Sequence, residues 1–393
     1  MDILLSWIVR SKVSGGGATY VHEISNNLPR LGHNAVVLKV AHPPESLWDR
    51  MWDRLLSLRI IGPLWYLIET TFLAFVTLVK HKGRFDVIYT RHYFLNGEYF
   101  VAKLFGIPLV KEVIGSVIPE NRTALLTRIL DRIERFNMPR ADMIITDTPT
   151  LKNVLHRDYN VPEDRIVAIE NGANTDLFSP MDVTKVREEL DLKQSDNYIC
   201  LVAGNFEPYQ GVENTIKAAP LVLERRPDTR FLIIGGRDHE VRKFLEIARQ
   251  DGLLDNFIFT GSIPYQQIPL YINASEVCVV GGVPPTLATK GYSPLKLCEY
   301  MACEKPVVVI RTDGMEFVEE NDAGLLVNPQ EYQEYADAMV RLLQDQEMSK
   351  RMGENGRKWV LENRSWENIA KRVVKVFEQT IAQRRKQKGA RKI

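Results

Sequence analysis

Short apolar runs alternate along the whole chain with stretches that are apolar at helical spacing. A strand, a helix and a second strand in succession are typical of a parallel sheet covered by helices. In the first half, the pattern predicts helices over 19–31, 123–136 and 147–156 and strands over 1–10, 35–40, 85–90, 109–113, 143–146 and 166–169.

The segment 60–79 is strongly apolar, and its length approaches the roughly 20 residues of a membrane-spanning helix. Glu69 and Pro63 argue against a span, and the strand predicted over 85–90 needs a crossover helix before it. Three alternatives stay open: a domain helix buried on most of its circumference, a helix on a membrane surface, and a transmembrane helix.

The second half repeats the arrangement after a turn-rich segment at 170–180, which is the best domain boundary. Several strands end in glycine, so their loops are expected to converge on one sheet edge, where open α/β folds bind ligands. The sequence therefore predicts an α/β chain of two Rossmann-like domains with a cleft between them. The predicted elements are a helix over 212–225 and strands over 198–203, 231–234, 257–260, 277–280 and 306–310.

Composition agrees with two globular domains, because a chain of 393 residues with 45% hydrophobic residues is too long for one typical hydrophobic core. The net charge is +1, from 51 basic and 50 acidic residues, so a nucleic-acid partner is not indicated. The four cysteines lack metal-ligand or disulfide spacing. We expect buried thiols in a reducing cytosol.

The stretch 290–302, KGYSPLKLCEYMA, is a polar loop that leads directly into a helix. A helix start presents unpaired amides and a positive dipole end, and Lys290 and Lys296 add charge, which suits a phosphate-bearing ligand. Glu299, one turn after Lys296, could accept hydrogen bonds from ribose hydroxyls. The alternative is an ordinary capped helix with a surface Lys–Glu pair.

The order and spacing of many short motifs resemble those of GT-B glycosyltransferases, most closely family 4. The resemblance covers nearly the whole chain and implies a helix that begins near Trp366 and crosses back to the N-terminal domain. The matching residues are Gly15–Gly17, Ala141–Asp142, Asn171–Gly172, Phe178–Pro180, Gly204 with Gly211, Gly235–Gly236, Phe259–Gly261, Ser293–Leu297, Glu299–Ala302, Lys305–Val308 and Ser365–Glu367.

That resemblance also implies domain limits and substrates. The acceptor domain would be 1–178, the nucleotide-sugar domain 179–365, the crossover helix 366–383 and a basic tail 384–393. The donor would be a nucleoside diphosphate sugar, with UDP as the default, and the acceptor a hydroxyl of a glycan, polysaccharide or lipid-linked molecule. Transfer would retain the anomeric configuration and need no metal or other cofactor.

Site roles follow from the resemblance position by position. Glu299 would hold the ribose, and the amides of 293–295 the phosphates. In the N-terminal domain, the polar candidates for the acceptor are His92, Glu112 and Ser116 with its neighbour Gly115. The donor-binding set is Gly15, Gly16, Gly17, Gly204, Arg237, Ser262, Ile263, Lys290, Tyr292, Ser293, Pro294 and Leu295.

Three positions depart from the family pattern. Asn205 and Gln210 stand where an Arg and a Lys are usual, and Gly291 stands where the first Glu of the Glu-x7-Glu motif is expected. Cations facing a departing diphosphate are normally a large electrostatic contribution. We therefore expect Lys296, with Lys290, to compensate.

Two other functions stay open: a catalytically weak relative that acts as a binding or assembly subunit, and a sugar-nucleotide epimerase. Basic residues at 384–392, the Arg-rich helix near Arg128 and the apolar segment 60–79 also suit an anionic membrane surface. The predicted location is cytoplasmic, with peripheral contact to the inner face of the cell membrane.

Overall fold

The computed structural model describes residues 1–7, 16–38, 61–91, 97–114, 124–282 and 291–390. The chain divides into two compact units, Met1–Glu170 with Ile369–Ile393, and Asn171–Asn368. The division falls eight residues before the boundary predicted after 178. Phe178 is fully buried in the core of the second unit, which explains why the connecting segment belongs there.

The first unit is built on a six-stranded parallel sheet with the order β2-β1-β3-β4-β5-β6. Its strands are β1 (Asp2–Ser6), β2 (Asn34–Val37), β3 (Val87–Arg91), β4 (Leu109–Val113), β5 (Met143–Thr146) and β6 (Ile166–Ala168). Its helices are α1 (Gly16–Arg30), α2 (Ile61–Lys80), α3 (Gly97–Phe105), α4 (Ala124–Asn137) and α5 (Pro149–Tyr159).

Helix α2 covers the first sheet with part of its circumference. Ala74 and Leu78 are fully buried and pack with Leu4 and Ile88 of the sheet. The apolar segment is therefore a domain helix over its described side chains, 71–80. No helix among the described residues is long and apolar enough to cross a membrane.

The second unit has its own six-stranded parallel sheet, with the order β12-β11-β10-β7-β8-β9. Its strands are β7 (Asn197–Ala203), β8 (Thr229–Gly235), β9 (Phe257–Gly261), β10 (Val277–Val280), β11 (Val307–Ile310) and β12 (Gly324–Val327). Its helices are α6 (Val183–Glu189), α7 (Val212–Leu223), α8 (Asp238–Gln250), α9 (Ile268–Ala274), α10 (Leu295–Ala302), α11 (Phe317–Glu320), α12 (Tyr332–Gln344) and α13 (Gln346–Asn363).

Strand β7 shows why the strands of this sheet are continuous apolar runs. Ile199 and Leu201 belong to the core on one face, whereas Tyr198 and Cys200 belong to the core on the other. Alternate side chains point to opposite faces, and both faces are covered by helices. All four cysteines are buried and unpaired, as the sequence predicted.

The last helix, α14 (Trp366–Ala390), is longer than the predicted crossover helix. From Ile369 it belongs to the first unit, where Phe377 packs edge-on against Tyr89. Residues 384–390, predicted as a basic tail, continue the helix because Lys, Arg and Gln are good helix formers and no proline interrupts them. Arg384 is fixed by an ion pair with Asp142, 2.7 Å apart.

Candidate active site

Loops of the second unit meet at the carboxyl edge of its sheet, and glycines make the close approach feasible. At Gly211, with a φ of +84°, a Cβ would lie 2.2 Å from the carbonyl carbon of Gly281. Asn214 on α7 also donates its Nδ2 hydrogen to Gly281 O at 2.8 Å. The loop after β7 is thereby held against the end of β10.

The loop after β8 is held in the same way. At Gly235, a Cβ would lie 2.2 Å from Ala203 O, so only glycine fits there without a shift of the backbone. The next residue, Gly236, donates its N–H to Ala203 O at 3.0 Å and accepts the Ser262 hydroxyl at 3.0 Å. The ends of β7, β8 and β9 are therefore joined.

Helix α10 places Lys296 in its first turn, from which the side chain reaches the loop after β7. The Lys296 side chain is only 8% exposed, and its Nζ donates to Gln210 Oε1 at 2.6 Å. Burial lowers the pKa of Lys296 to about 7, although the nearby Glu299 acts in the opposite direction. The amine is therefore partly neutral near pH 7 and can gain charge when an anion arrives.

Glu299 lies one turn further along α10 and is 4% exposed. Its Oε1 accepts the Tyr265 hydroxyl at 3.0 Å, which fixes the orientation of the carboxylate. Because Lys296 and Glu299 are both buried, the alternative of a surface Lys–Glu pair is wrong.

The polar turn before α10 is held by the start of the second unit. Asn171 donates its backbone N–H to Ser293 Oγ at 3.0 Å and its side-chain N–H to Ser293 O at 2.7 Å. Pro294 has no N–H, so the prediction that all of 293–295 supply amides is corrected: only Ser293 and Leu295 of these three have an amide hydrogen to donate. Tyr292 is half-buried and packs against the neighbouring core.

The other predicted donor residues are spread along the same edge. Asn205 engages in a local turn, where its Oδ1 accepts the Glu207 N–H at 3.4 Å, and Gly204 is exposed beside it. The Arg237 side chain is 61% exposed, and its backbone N–H donates to Glu240 Oε2 at 2.8 Å. Ser262 is exposed and Ile263 is half-buried.

In the first unit, Glu112 lies near the end of β4 and is 3% exposed. Its Oε2 is 3.5 Å from Arg91 Nε, and Arg91 donates through Nη1 to Gly17 O at 3.1 Å. Burial raises the pKa of Glu112 to about 7, against the opposing effect of Arg91. Arg91 also lies over the ring of Tyr20, 4.9 Å from its centroid.

Three polar residues were missed by the sequence analysis: Arg91, Tyr20 and Tyr265. Asn171 was named there only as part of a matching motif, without its contact to Ser293. Arg91 carried a signal, since it follows directly on the strand predicted over 85–90. Gly16 and Gly17 begin α1. Gly15, His92, Ser116 and Lys290 lie outside the described residues. Within the described ranges, no three His, Cys, Asp or Glu side chains are grouped as a metal site would need.

Comparison with known proteins places both halves in related families. Residues 182–359 match the family model of glycosyl transferases group 1, and residues 14–177 match that of glycosyltransferase family 4. The α-D-kanosaminyltransferase of Streptomyces kanamyceticus is 29% identical over 266 residues, 65% of this chain and 67% of that protein. The D-inositol 3-phosphate glycosyltransferase of Corynebacterium diphtheriae is 27% identical over 367 residues, 86% of this chain and 84% of that protein.

Solved structures share the fold across nearly the whole chain. A glycosyltransferase from Rickettsia africae superimposes with a TM-score of 0.76 at 18% identity, covering 97% of this chain and 98% of that one. Anabaena HepE, crystallised with UDP, gives a TM-score of 0.73 at 18% identity, covering 96% of this chain and 100% of that one. The two parallel sheets flanked by helices are thus those of the GT-B fold.

Proposed function

The chain belongs to the group 1 and family 4 glycosyltransferases, and we propose that it transfers a glycosyl group from a UDP-sugar to an acceptor hydroxyl with retention of configuration. The proposed acceptor is a hydroxyl of a glycan, a polysaccharide or a lipid-linked molecule. UDP is supported by the ligand in the crystals of HepE. The names of these relatives, a kanosaminyltransferase and a D-inositol 3-phosphate glycosyltransferase, support sugar transfer as the reaction.

One contact carries the proposal: Lys296 Nζ lies 2.6 Å from Gln210 Oε1. Gln210 occupies the place where related enzymes are expected to carry a lysine. The amine of Lys296 therefore reaches the same point from the first turn of α10, where the helix dipole also favours an anion. The diphosphate of the donor would replace Gln210 as its partner.

The remaining roles follow from the positions of the side chains. Glu299, oriented by Tyr265, would accept the ribose hydroxyls, and the first-turn amides of α10 would bind phosphate oxygens. Arg237, Ser262 and Ile263 would line the nucleobase. The acceptor roles of Glu112 and the predicted donor contacts of Gly16 and Gly17 stay predictions.

In the reaction, the bond between the anomeric carbon and the donor diphosphate breaks, and that carbon bonds to the acceptor oxygen on the same face. The proton of the acceptor hydroxyl passes to the leaving phosphate, so no protein nucleophile is needed. The role of Lys296 is electrostatic: it neutralises charge that accumulates on the departing diphosphate. Positioning of the two substrates supplies the rest of the rate.

The test is thermal stability with UDP, GDP or ADP in EDTA for the wild type, Lys296→Ala and Lys305→Ala. Lys305 is a matched control, because it is a half-buried lysine whose Nζ donates to a backbone oxygen, Asn273 O, at 2.9 Å. A nucleotide at 100 times its Kd stabilises a protein by about 2.7 kcal/mol. We expect UDP to stabilise the wild type and Lys305→Ala but not Lys296→Ala.

A second variant, Gln210→Glu, tests the replacement step itself. A carboxylate at this position would hold the charged amine in an ion pair and compete with the phosphate. UDP affinity should therefore fall although Lys296 is unchanged. Stabilisation of Lys296→Ala by UDP, equal to that of the wild type, would contradict the proposal.

Activity then separates transfer from the other two functions. Incubation with a panel of sugar nucleotides and acceptors should release nucleoside diphosphate only when the acceptor is present. An epimerase would convert the sugar with little release, and a binding subunit would bind UDP without releasing it from any donor.

A further inference from the structure

We propose that α2 and α3 of the first unit form a docking surface for an anionic phospholipid bilayer. The observations that support it are an exposed apolar surface, a surrounding set of cations and a cationic cavity next to them. None of these depends on the donor site, so the proposal stands or falls separately from the proposed transferase reaction.

The first observation is an apolar stripe on the outer side of α2. Phe72, Phe75, Val76 and Val79 are 63%, 41%, 42% and 52% exposed. Their spacing of i, i+3, i+4 and i+7 places them on one helix face. The opposite face is already buried against the sheet, so core packing does not explain this stripe.

Helix α3 extends the surface. Phe100 and Leu104 are 63% and 70% exposed and lie one turn apart. The two helices touch through Phe75 and Phe105, whose ring centroids are 6.0 Å apart. Six of the eight large, exposed hydrophobic side chains in the described part of the chain therefore belong to these two helices, a concentration that marks an interaction surface.

The second observation is the sign of the charge around this surface. The exposed charged side chains within 71–86 and 97–106 are all basic: Lys80, Lys82, Arg84 and Lys103. Both carboxylates of these segments are engaged elsewhere. Asp86 accepts the backbone N–H of Asp2 at 2.9 Å, and the buried Glu98 accepts the Ser6 hydroxyl at 2.7 Å.

The third observation is a cavity of about 450 Å³ beside α3. Its lining includes Lys103, Arg140, Arg165 and Arg384 but only one carboxylate, Asp142, which pairs with Arg384. The four cations and one carboxylate give the lining a net charge of +3, and the cavity has room for a phosphate headgroup. Lys103 precedes the exposed Leu104, so the cavity directly adjoins the apolar surface.

Together, these features favour a bilayer over a second copy of the chain. A symmetric dimer through this surface would bring together two copies of a surface whose exposed charges within 71–86 and 97–106 are all basic, with no exposed carboxylate of these segments to pair with them, which is repulsive. An anionic bilayer instead offers acyl chains to the phenylalanines and phosphates to the lysines. Each Lys near such a surface strengthens binding about fivefold.

The experiment is flotation of the full chain with phosphatidylcholine vesicles, with and without phosphatidylglycerol, at low and high salt. The variants are Phe100→Ser/Leu104→Ser for the apolar surface and Lys80→Glu/Lys103→Glu for the charge. Matched controls on α13 are Leu361→Ser, where the leucine is 43% exposed, and Lys350→Glu, where the side chain is 79% exposed. Thermal unfolding checks that each variant folds.

We expect the wild type and both controls to bind vesicles that contain phosphatidylglycerol, more weakly at high salt. The apolar variant should lose on the order of tenfold in affinity, and the charge variant at least as much. Absence of binding by the wild type at low salt, or undiminished binding by folded variants, would overturn the proposal. Light scattering shows whether the variants instead dissociate a dimer, which would assign the surface to a second copy.

Discussion

Replacing Lys296 with methionine should stabilise the protein while it abolishes UDP binding. The amine is 8% exposed, and its hydrogen-bond acceptor is the uncharged amide of Gln210. Met has a similar length without the charge, and the half-buried Gln210 can be hydrated when it loses this donor. The substitution therefore removes the cost of burying an amine and leaves the packing of α10 largely intact.

The magnitude follows from the pKa of Lys296, which burial lowers from 10.5 to about 7. A tenfold difference in proton affinity between the folded and unfolded chain corresponds to about 1.4 kcal/mol, so the lysine costs at most about 5 kcal/mol below pH 7. Above pH 7 the unfolded chain binds more protons than the folded one, so wild-type stability rises as pH increases to 10.5. The advantage of Lys296→Met should fall from about 5 kcal/mol at pH 6 to about 2 kcal/mol at pH 9.

Urea unfolding of both proteins at pH 6 and pH 9 measures this difference. Lys350→Met is the control, because Lys350 is 79% exposed and its removal should change stability little at either pH. An advantage of Lys296→Met that is the same at both pH values would refute the reasoning, since the amine would then be fully charged in the folded protein.

Three further predictions concern other parts of the molecule. Gly211→Ala should destabilise the protein by about 3 kcal/mol or more in urea unfolding, since φ is +84° and the new Cβ meets Gly281. Gly314→Ala, at φ +87° with nothing within 4 Å, should cost less, and equal losses would contradict the steric argument. Because the pKa of Glu112 is raised, wild-type stability should fall by up to about 3 kcal/mol as the pH rises from 4.5 to 7. Glu112→Gln should abolish this fall, and a variant with the same pH profile as the wild type would contradict the assignment to Glu112. Sugar transfer should persist in EDTA, and its complete loss, restored by a divalent cation, would show a metal requirement.

Much of the fold could be predicted because its strands are short, apolar and regularly separated. The strands 109–113, 143–146 and 277–280 were predicted to the residue. Strand β12, GLLV, was missed because four residues that begin with glycine give no periodic signal. Its glycine is required by packing, since a Cβ there would lie 2.3 Å from Val307 O, and this contact is invisible in the sequence.

The sequence could predict which residues belong to the site but not which of them are in contact. Lys296 could be named as a substitute cation from its position before Glu299. Its contact with Gln210, 86 residues away, depends on how α10 and the loop after β7 meet in the folded unit. Likewise, nothing in the sequence paired Asn171 with Ser293, 122 residues later. Burial, which lowers the pKa of Lys296, also appears only in three dimensions.

The return of α14 to the first unit has a consequence for biosynthesis. A ribosome makes the sheet of this unit first, but the helix that contributes Phe377 and Arg384 is translated only after the entire second unit. The second unit is continuous in sequence, so it can complete its core while the nascent first unit still exposes the surface that Phe377 will cover. The second unit can thus finish folding before the first, whose core stays incomplete until α14 has been translated.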